Sequence, residues 1–334
     1  MNDPGGQTRG PEDVGSGKPR PRSLIVGCGY VGESIARRLH ASGHQVFGLR
    51  RSEPESLPVG LPYIPLQANL TEPGSLQTLA ALDVPFDCVV LCASASGGDA
   101  EAYRQVYFEG TGHLLARLRG QAPRAFVYTG STSVYSQTDG SWVDELSPTE
   151  PESESGLWLL RAEQRILDAH REWGLAGRIL RVAGIYGPGR GSLLRRVLSG
   201  QAGLEGSGDR WTNRIHREDL ADAVIAVLQR GRSGEIYNVA DQEPATQRCV
   251  LEWLSERTGI PLREGAEESP KSGRRRRGGS NKRVRIDKVR RETGWSPTRP
   301  SFREGYLEEL GHIRVEGSTG STRVQSPPFS RGGS

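Results

Sequence analysis

The residues best suited to chemistry in this chain are three glycines and a pair of arginines behind them. Gly27, Gly29 and Gly32 stand in "GCGYVG" at G-x-G-x-x-G spacing, after the apolar run "SLIVG" and before a helical pattern. In that setting the first glycine allows a tight turn and the second lets a pyrophosphate reach the backbone. The third lets helix pack closely on strand. Tyr30 and Val31, inside the loop, belong to the same phosphate cradle, where helix N–H groups and the dipole favour anions. Arg50 and Arg51 end the second apolar run in "LRRS". An acidic residue there would hydrogen-bond a ribose 2′-hydroxyl and select NAD, whereas guanidinium groups suit the 2′-phosphate of NADP. NADP is therefore the preferred cofactor, with NAD second. Further along, Asn69 in "QANLTEP" falls where a loop would pass the adenine. The small residues Cys92, Ala93 and Ser94 in "LCASAS" would let backbone lie against the cofactor.

Elements able to position these groups alternate along the chain. Short Val/Ile/Leu-rich runs lie at 23–27, 44–50, 61–67, 86–94, 125–131 and 177–184, as expected of parallel strands covered on both faces. Helical patterns separate them. In the first, Val31, Ile35 and Leu39 recur every fourth residue and Gly43 is a natural stop. The others span about 99–119 and 156–171. Such alternation predicts an α/β protein, a Rossmann-type doubly wound parallel sheet. After residue 185 come the loop "YGPGRGS", a helix over 213–230, the strand "EIYNVA" and further helices. A small C-terminal substrate subdomain over 186–310 is expected beside a dinucleotide-binding core over 23–185. Residues 1–22 and 311–334, rich in Gly, Pro, Ser and charge, are expected to be disordered tails.

Composition narrows the partners. The net charge of +4 is most concentrated in "KSGRRRRGGSNKRVR", which contains Arg274–Arg277. No nucleic-acid recognition motif accompanies that block, and a basic loop over an anionic ligand fits it as well. Cys28, Cys88, Cys92 and Cys249 show neither metal-ligand nor disulfide-framework spacing, and the histidines no metal spacing. No apolar run could cross a bilayer and no signal-peptide core opens the chain, so a cytoplasmic protein with no membrane partner is expected. Oligomeric state is left open.

The glycine loop, "TGSTSVY" (129–135), "LRVAGIYGPGR" (180–190), "IHREDLADAV" (215–224) and "GEIYNVAD" (234–241) occur in one order. In this the chain resembles the extended short-chain dehydrogenase/reductases, the NAD-dependent epimerase/dehydratase superfamily. "STSVY", "SGLWLLRAEQRIL", "AGIYGPGR" and the late basic segment make it most similar to the atypical, YeeZ-like branch. The resemblance implies NAD(P) binding. It also implies a Tyr-x-x-x-Lys pair, whose Lys lowers the Tyr pKa so that the phenol can exchange protons near neutral pH. Anchored on Ala162 and Glu163, the places of that pair fall on Ser155 and Leu159. No Tyr lies between Tyr135 and Tyr186, and no Lys between Lys18 and Lys271. The family's Asn on the preceding helix also gives way, near Tyr107. Ser131 matches the substrate-orienting Ser/Thr, a hydroxyl that can hydrogen-bond substrate but cannot act alone as a base.

Tyr135 and Tyr186, from nearby loops, are candidate proton donors, though either could be a packed aromatic. Arg190 and His216 are candidate substrate ligands, and Asp219 a support for a helix start. Glu163 and Arg161 could partly replace the lost pair or form a solvated face. The resulting expectation is an oxidoreductase or epimerase-like enzyme on a small-molecule, hydroxylated substrate, with an anionic substituent as one form. The alternative is a non-catalytic dinucleotide sensor or scaffold.

Overall fold

The computed structural model describes residues 19–80, 82, 85–95, 99–190, 192–263 and 280–318, so Arg274–Arg277 lie outside the described residues. Seven strands form the central sheet: β1 (Arg22–Val26), β2 (Gln45–Arg50), β3 (Ile64–Gln67), β4 (Cys88–Leu91), β5 (Ala125–Ser131), β6 (Gly177–Val182) and β7 (Ile236–Val239). All pairings are parallel, and the order is β7-β6-β5-β4-β1-β2-β3. The chain starts in the middle and winds outward in both directions, leaving a topological switch point between β1 and β4. Ligands of such sheets bind outside the strand C-termini at that point.

Strand side chains alternate between two apolar layers, which is why the strands are apolar without interruption. Ile25 packs on one face with Ile35 and Leu39 of α1 (Gly32–Ala41) and with Leu220, Val224 and Val227 of a later helix. Leu24 and Val26 pack on the other with Leu114 and Leu118 of α2 (Gly110–Leu118) and Ile166 of α3 (Glu154–Trp173). A third apolar cluster gathers Tyr186, Leu194, Val250, Leu254, Phe302 and Tyr306.

Three boundaries differ from expectation. Arg22 opens β1, because Arg22 pairs with Gln45, so the expected N-terminal tail runs one residue too far. The helix beginning at Phe302 continues to Ser318, past the expected break at 310, its buried Phe302 and Tyr306 anchoring it on the third cluster. The helix expected over 213–230 begins at Arg217 as α4 (Arg217–Arg230), because Arg214–His216 pairs as a short strand with Gly184–Tyr186. Among the described residues, no helix is long and apolar enough to cross a membrane.

Candidate active site

At the C-terminal end of β1 the three glycines have distinct surroundings. Gly27 has φ +93, and a Cβ there would lie 2.4 Å from Ala93 Cα, so the ends of β1 and β4 touch through this glycine. A Cβ on Gly32 would lie 2.6 Å from the Gly27 carbonyl oxygen, as close helix–strand packing requires. At Gly29 a Cβ would meet nothing within 4 Å. Beside that open space α1 begins, and Val31 at its N-cap makes no side-chain cap. Open space and an uncapped helix N-terminus are what a pyrophosphate needs, so these residues fit a dinucleotide.

The two arginines behind the loop differ. Gly48 leaves room for the Tyr63 ring, which a Cβ would meet at 2.4 Å. The Arg50 guanidinium donates to Tyr63 Oη at 2.9 Å and to Glu33 Oε1 on α1 at 3.1 Å. Arg51 is exposed and, with Gln67, Ala68, Asn69, Glu72 and Ser75, lines a cleft of about 310 Å³. Asn69 is tied into its own loop: Nδ2 donates to Glu72 Oε1 at 2.6 Å, and Oδ1 accepts from Thr71 N at 3.2 Å. Cys92 donates through Sγ to the Gly27 carbonyl at 3.4 Å, and the neighbouring Ser94 is exposed. All four cysteines are free thiols, and burial pushes Cys28 up to about 12.

Ser131 closes β5. Its Oγ accepts from Ser133 N at 3.1 Å, which leaves its O–H for donation. The first turn of α3 packs on this turn, since a Cβ on Gly156 would lie 3.1 Å from the Ser133 carbonyl oxygen. Among the described residues, the Ser155 hydroxyl there bonds Ser153 Oγ at 3.4 Å, and Leu159 is core. One turn further, Glu163 is buried rather than on a solvated face. It pairs with Arg181 at 2.8 Å, because both point between α3 and β6. Burial raises the Glu163 pKa and Arg181 pulls it back, the net shift being upward.

Arg181 also donates to Tyr135 Oη at 3.0 Å, and Tyr135 Oη donates to Asn238 Oδ1 at 2.8 Å. The Tyr135 proton is therefore held inside the fold, which corrects its candidacy as a proton donor. Tyr107 sits in a π-helical turn, Arg104–Glu109, stacked on Tyr103 with ring centroids 5.1 Å apart.

Tyr186 is likewise core. It is 5% exposed, packs on Tyr306 at 4.9 Å, and its hydroxyl makes a long 3.5 Å bond to the Ser301 carbonyl. Its place in the third cluster, with the hydroxyl turned to the Ser301 carbonyl, corrects it from proton donor to packing residue, and burial also raises its pKa far above the usual phenol range. His216 caps α4 by accepting from Glu218 N through Nδ1 at 3.3 Å. Burial, then Arg299, lowers its pKa to about 4, so the ring is neutral, and the Nδ1 contact assigns the proton to Nε2. Among the described residues, His216 Nε2 and Tyr30 Oη are both buried without a hydrogen-bond partner, and each would lie 3.0 Å from a Cβ on Gly187. The Arg190 and Arg217 guanidiniums lie over the Tyr30 ring, 5.3 and 4.7 Å from its centroid. Two cations and two orphaned polar groups thus border the glycine loop. Asp219 instead ties α4 to Thr298, accepting from its N–H at 3.1 Å.

Sequence reasoning passed over Arg217 and the Tyr30 side chain. Their relation is visible only once α4 docks beside the loop; "IHRED" was the available signal.

The sequence profile of the NAD dependent epimerase/dehydratase family matches residues 23–240. Protein YeeZ of Escherichia coli is 32% identical over 231 residues, covering 66% of this chain and 78% of YeeZ. A Streptomyces 3-diazoavenalumate denitrifying reductase is 25% identical over 309 residues, covering 86% of this chain and all (100%) of the reductase. Among solved structures, a Methylobacillus flagellatus chain assigned to the NAD-dependent epimerases/dehydratases superposes with TM-score 0.71 and 31% identity, covering 88% of this chain and 99% of that one. In fold the chain also matches a Streptomyces venezuelae dTDP-glucose 4,6-dehydratase with NAD bound, at TM-score 0.73, 22% identity and coverage of 89% and 98%. With the seven-stranded parallel sheet and an open glycine loop at its switch point, these matches show that the chain belongs to the NAD-dependent epimerase/dehydratase family.

Proposed function

We propose that this protein is an NADP-preferring oxidoreductase or epimerase-like enzyme acting on a small hydroxylated or carbonyl compound. The observation that carries the reading is the opening at Gly29 beside the uncapped start of α1, at the same strand ends as Ser131. Backbone of Gly29, Tyr30, Val31 and Gly32 would hold the pyrophosphate, with Gly27 keeping the turn against Ala93. Arg51 would meet the 2′-phosphate at the adenosine cleft, with Arg50 held behind it and Asn69 on the cleft wall. Cys92 and Ser94 would lie under the cofactor. When bound, the nicotinamide supplies hydride transfer. The free O–H of Ser131 orients a substrate oxygen by donating to it, a role a hydroxyl can fill without being a base. Arg190 at the rim and the buried His216 Nε2–H supply further donors.

A second reading, a dinucleotide sensor without turnover, is favoured by one observation. The places that the family resemblance gives to the Tyr and Lys fall on Ser155 and Leu159, and the two candidate phenols, Tyr135 and Tyr186, are sequestered. The test is to titrate NADPH and NADH by nicotinamide fluorescence, then offer the NADPH complex a panel of carbonyl compounds. The enzyme reading expects either NADPH consumption, for an oxidoreductase, or conversion of substrate to an isomer without net NADPH loss, for an epimerase-like reaction. Ser131→Ala should abolish whichever occurs without weakening NADPH binding. Tight binding with no turnover across the panel supports the sensor, and absence of dinucleotide binding overturns both.

A further inference from the structure

The late basic segment contributes a residue that nothing above uses. A short strand, Arg283–Val284, pairs in parallel with Trp142–Val143. Asn213 pins the segment on its other side, donating to the Lys282 carbonyl and accepting from Val284 N, each at 2.9 Å. Side chains alternate along it, as an extended backbone requires. Arg283 stacks on Trp142 and Trp211, at 5.1 and 5.0 Å from the ring centroids, while Lys282 and Val284 turn inward, 3% and 2% exposed.

Among the described residues, the buried ammonium of Lys282 has neutral partners. Its Nζ donates to the Tyr135 carbonyl at 2.9 Å and to Ser280 Oγ at 2.6 Å. Among the described residues no carboxylate forms an ion pair with it. An ammonium has three donors, and the described residues take two of them. Burying a charge without a counter-charge is expensive, and a neutral side chain could tie the segment to a carbonyl equally well. Burial alone lowers its pKa, to about 8, so the group still carries charge at neutral pH. Its position is informative: Tyr135 ends the single turn that Ser131 begins. The chain has no lysine at the family's place on α3, yet brings one to this turn from 147 residues beyond Tyr135.

We propose that Lys282 is the counter-charge for an anionic substituent, a carboxylate or phosphate, on the substrate held beside Ser131. The inference rests on the substrate-site reading above, and its test separates the two. Melting temperatures of the full chain saturated with NADPH, which keeps the glycine loop filled, are followed while inorganic phosphate or malonate is added at constant ionic strength. Wild type is expected to show a saturable rise with at least one of the two anions. Lys282→Met should weaken that response about tenfold or more, while NADPH affinity stays within about twofold, as expected for loss of a charge-assisted contact. Lys282→Arg should retain most of the response. Without anion, Lys282→Met should melt no lower than wild type, because a buried unpaired charge is gone. If that variant fails to fold, Lys282→Gln, which keeps a neutral donor for the Tyr135 carbonyl, takes its place. An unchanged anion response in the uncharged variant, or no response to either anion in wild type, overturns the proposal. If wild type binds neither dinucleotide, the enzyme reading fails on that separate measurement, and the same anion titration without cofactor still decides the role of Lys282.

Discussion

Arg50 and Arg51 are adjacent in sequence, yet their surroundings predict opposite outcomes on removal. Arg50 is 24% exposed and already engaged, with Glu33 at 3.1 Å and Tyr63 Oη at 2.9 Å. Arg51 stands exposed on the rim of the cleft it shares with Asn69. A guanidinium that grips a phosphate through charge-assisted hydrogen bonds contributes about 1.5–3 kcal/mol. At about 1.4 kcal/mol per decade, Arg51→Ala should weaken NADPH binding by roughly 10- to 150-fold. NADH lacks the phosphate and should change less than about twofold. Arg50→Ala should cost on the order of 1 kcal/mol of stability, through a half-exposed ion pair and one hydrogen bond, with a much smaller effect on NADPH. Fluorescence titration of both dinucleotides at one fixed ionic strength reads the affinities, and urea unfolding reads the stability of Arg50→Ala. Equal losses of NADPH and NADH on Arg51→Ala, or a selective NADPH loss confined to Arg50→Ala, would refute the reasoning.

The buried network behind the site makes further predictions. Glu163→Gln strips the charge from the partner of Arg181 and should destabilise the protein by about 3–5 kcal/mol in urea unfolding; a loss under 1 kcal/mol would contradict the buried pair. Tyr135→Phe leaves an Arg181 N–H and Asn238 Oδ1 without their partner and should cost about 1–3 kcal/mol, while leaving NADPH affinity unchanged. His216 should impose an acid slope. Its pKa is about 4 in the fold against 6.5 for a free imidazole, so between those values the unfolded chain binds the proton first and stability falls as pH drops. The gap is worth about 3 kcal/mol, fully lost below pH 4. His216→Asn, which keeps a capping side chain, should remove that part of the loss, and an unchanged pH profile would contradict it.

The sheet was legible because each strand announces itself locally: an apolar run, a turn residue and a helical repeat, with the glycine spacing naming the switch point. Contacts across the fold were not legible in that way. Arg50 and Arg51 read alike until Glu33 on α1 and Tyr63 beneath Gly48 claim one of them. Glu163 looks like any helix-surface charge until β6 presents Arg181 opposite it. Tyr135 and Tyr186 looked available because nothing nearby in sequence marks Asn238, 103 residues on, or Ser301, 115 residues on, as their partners. Lys282 was read as one charge in a basic run, and only the pairing of its segment with Trp142–Val143 turns it inward.

Gly29 gives the most direct test of the dinucleotide site, because a Cβ there enters open space while Gly27 and Gly32 are packed against backbone. Gly29→Val should therefore melt close to wild type and yet lose measurable NADPH and NADH binding in the same fluorescence titration. If that folded variant binds either dinucleotide as wild type does, the loop does not hold a pyrophosphate and the account fails.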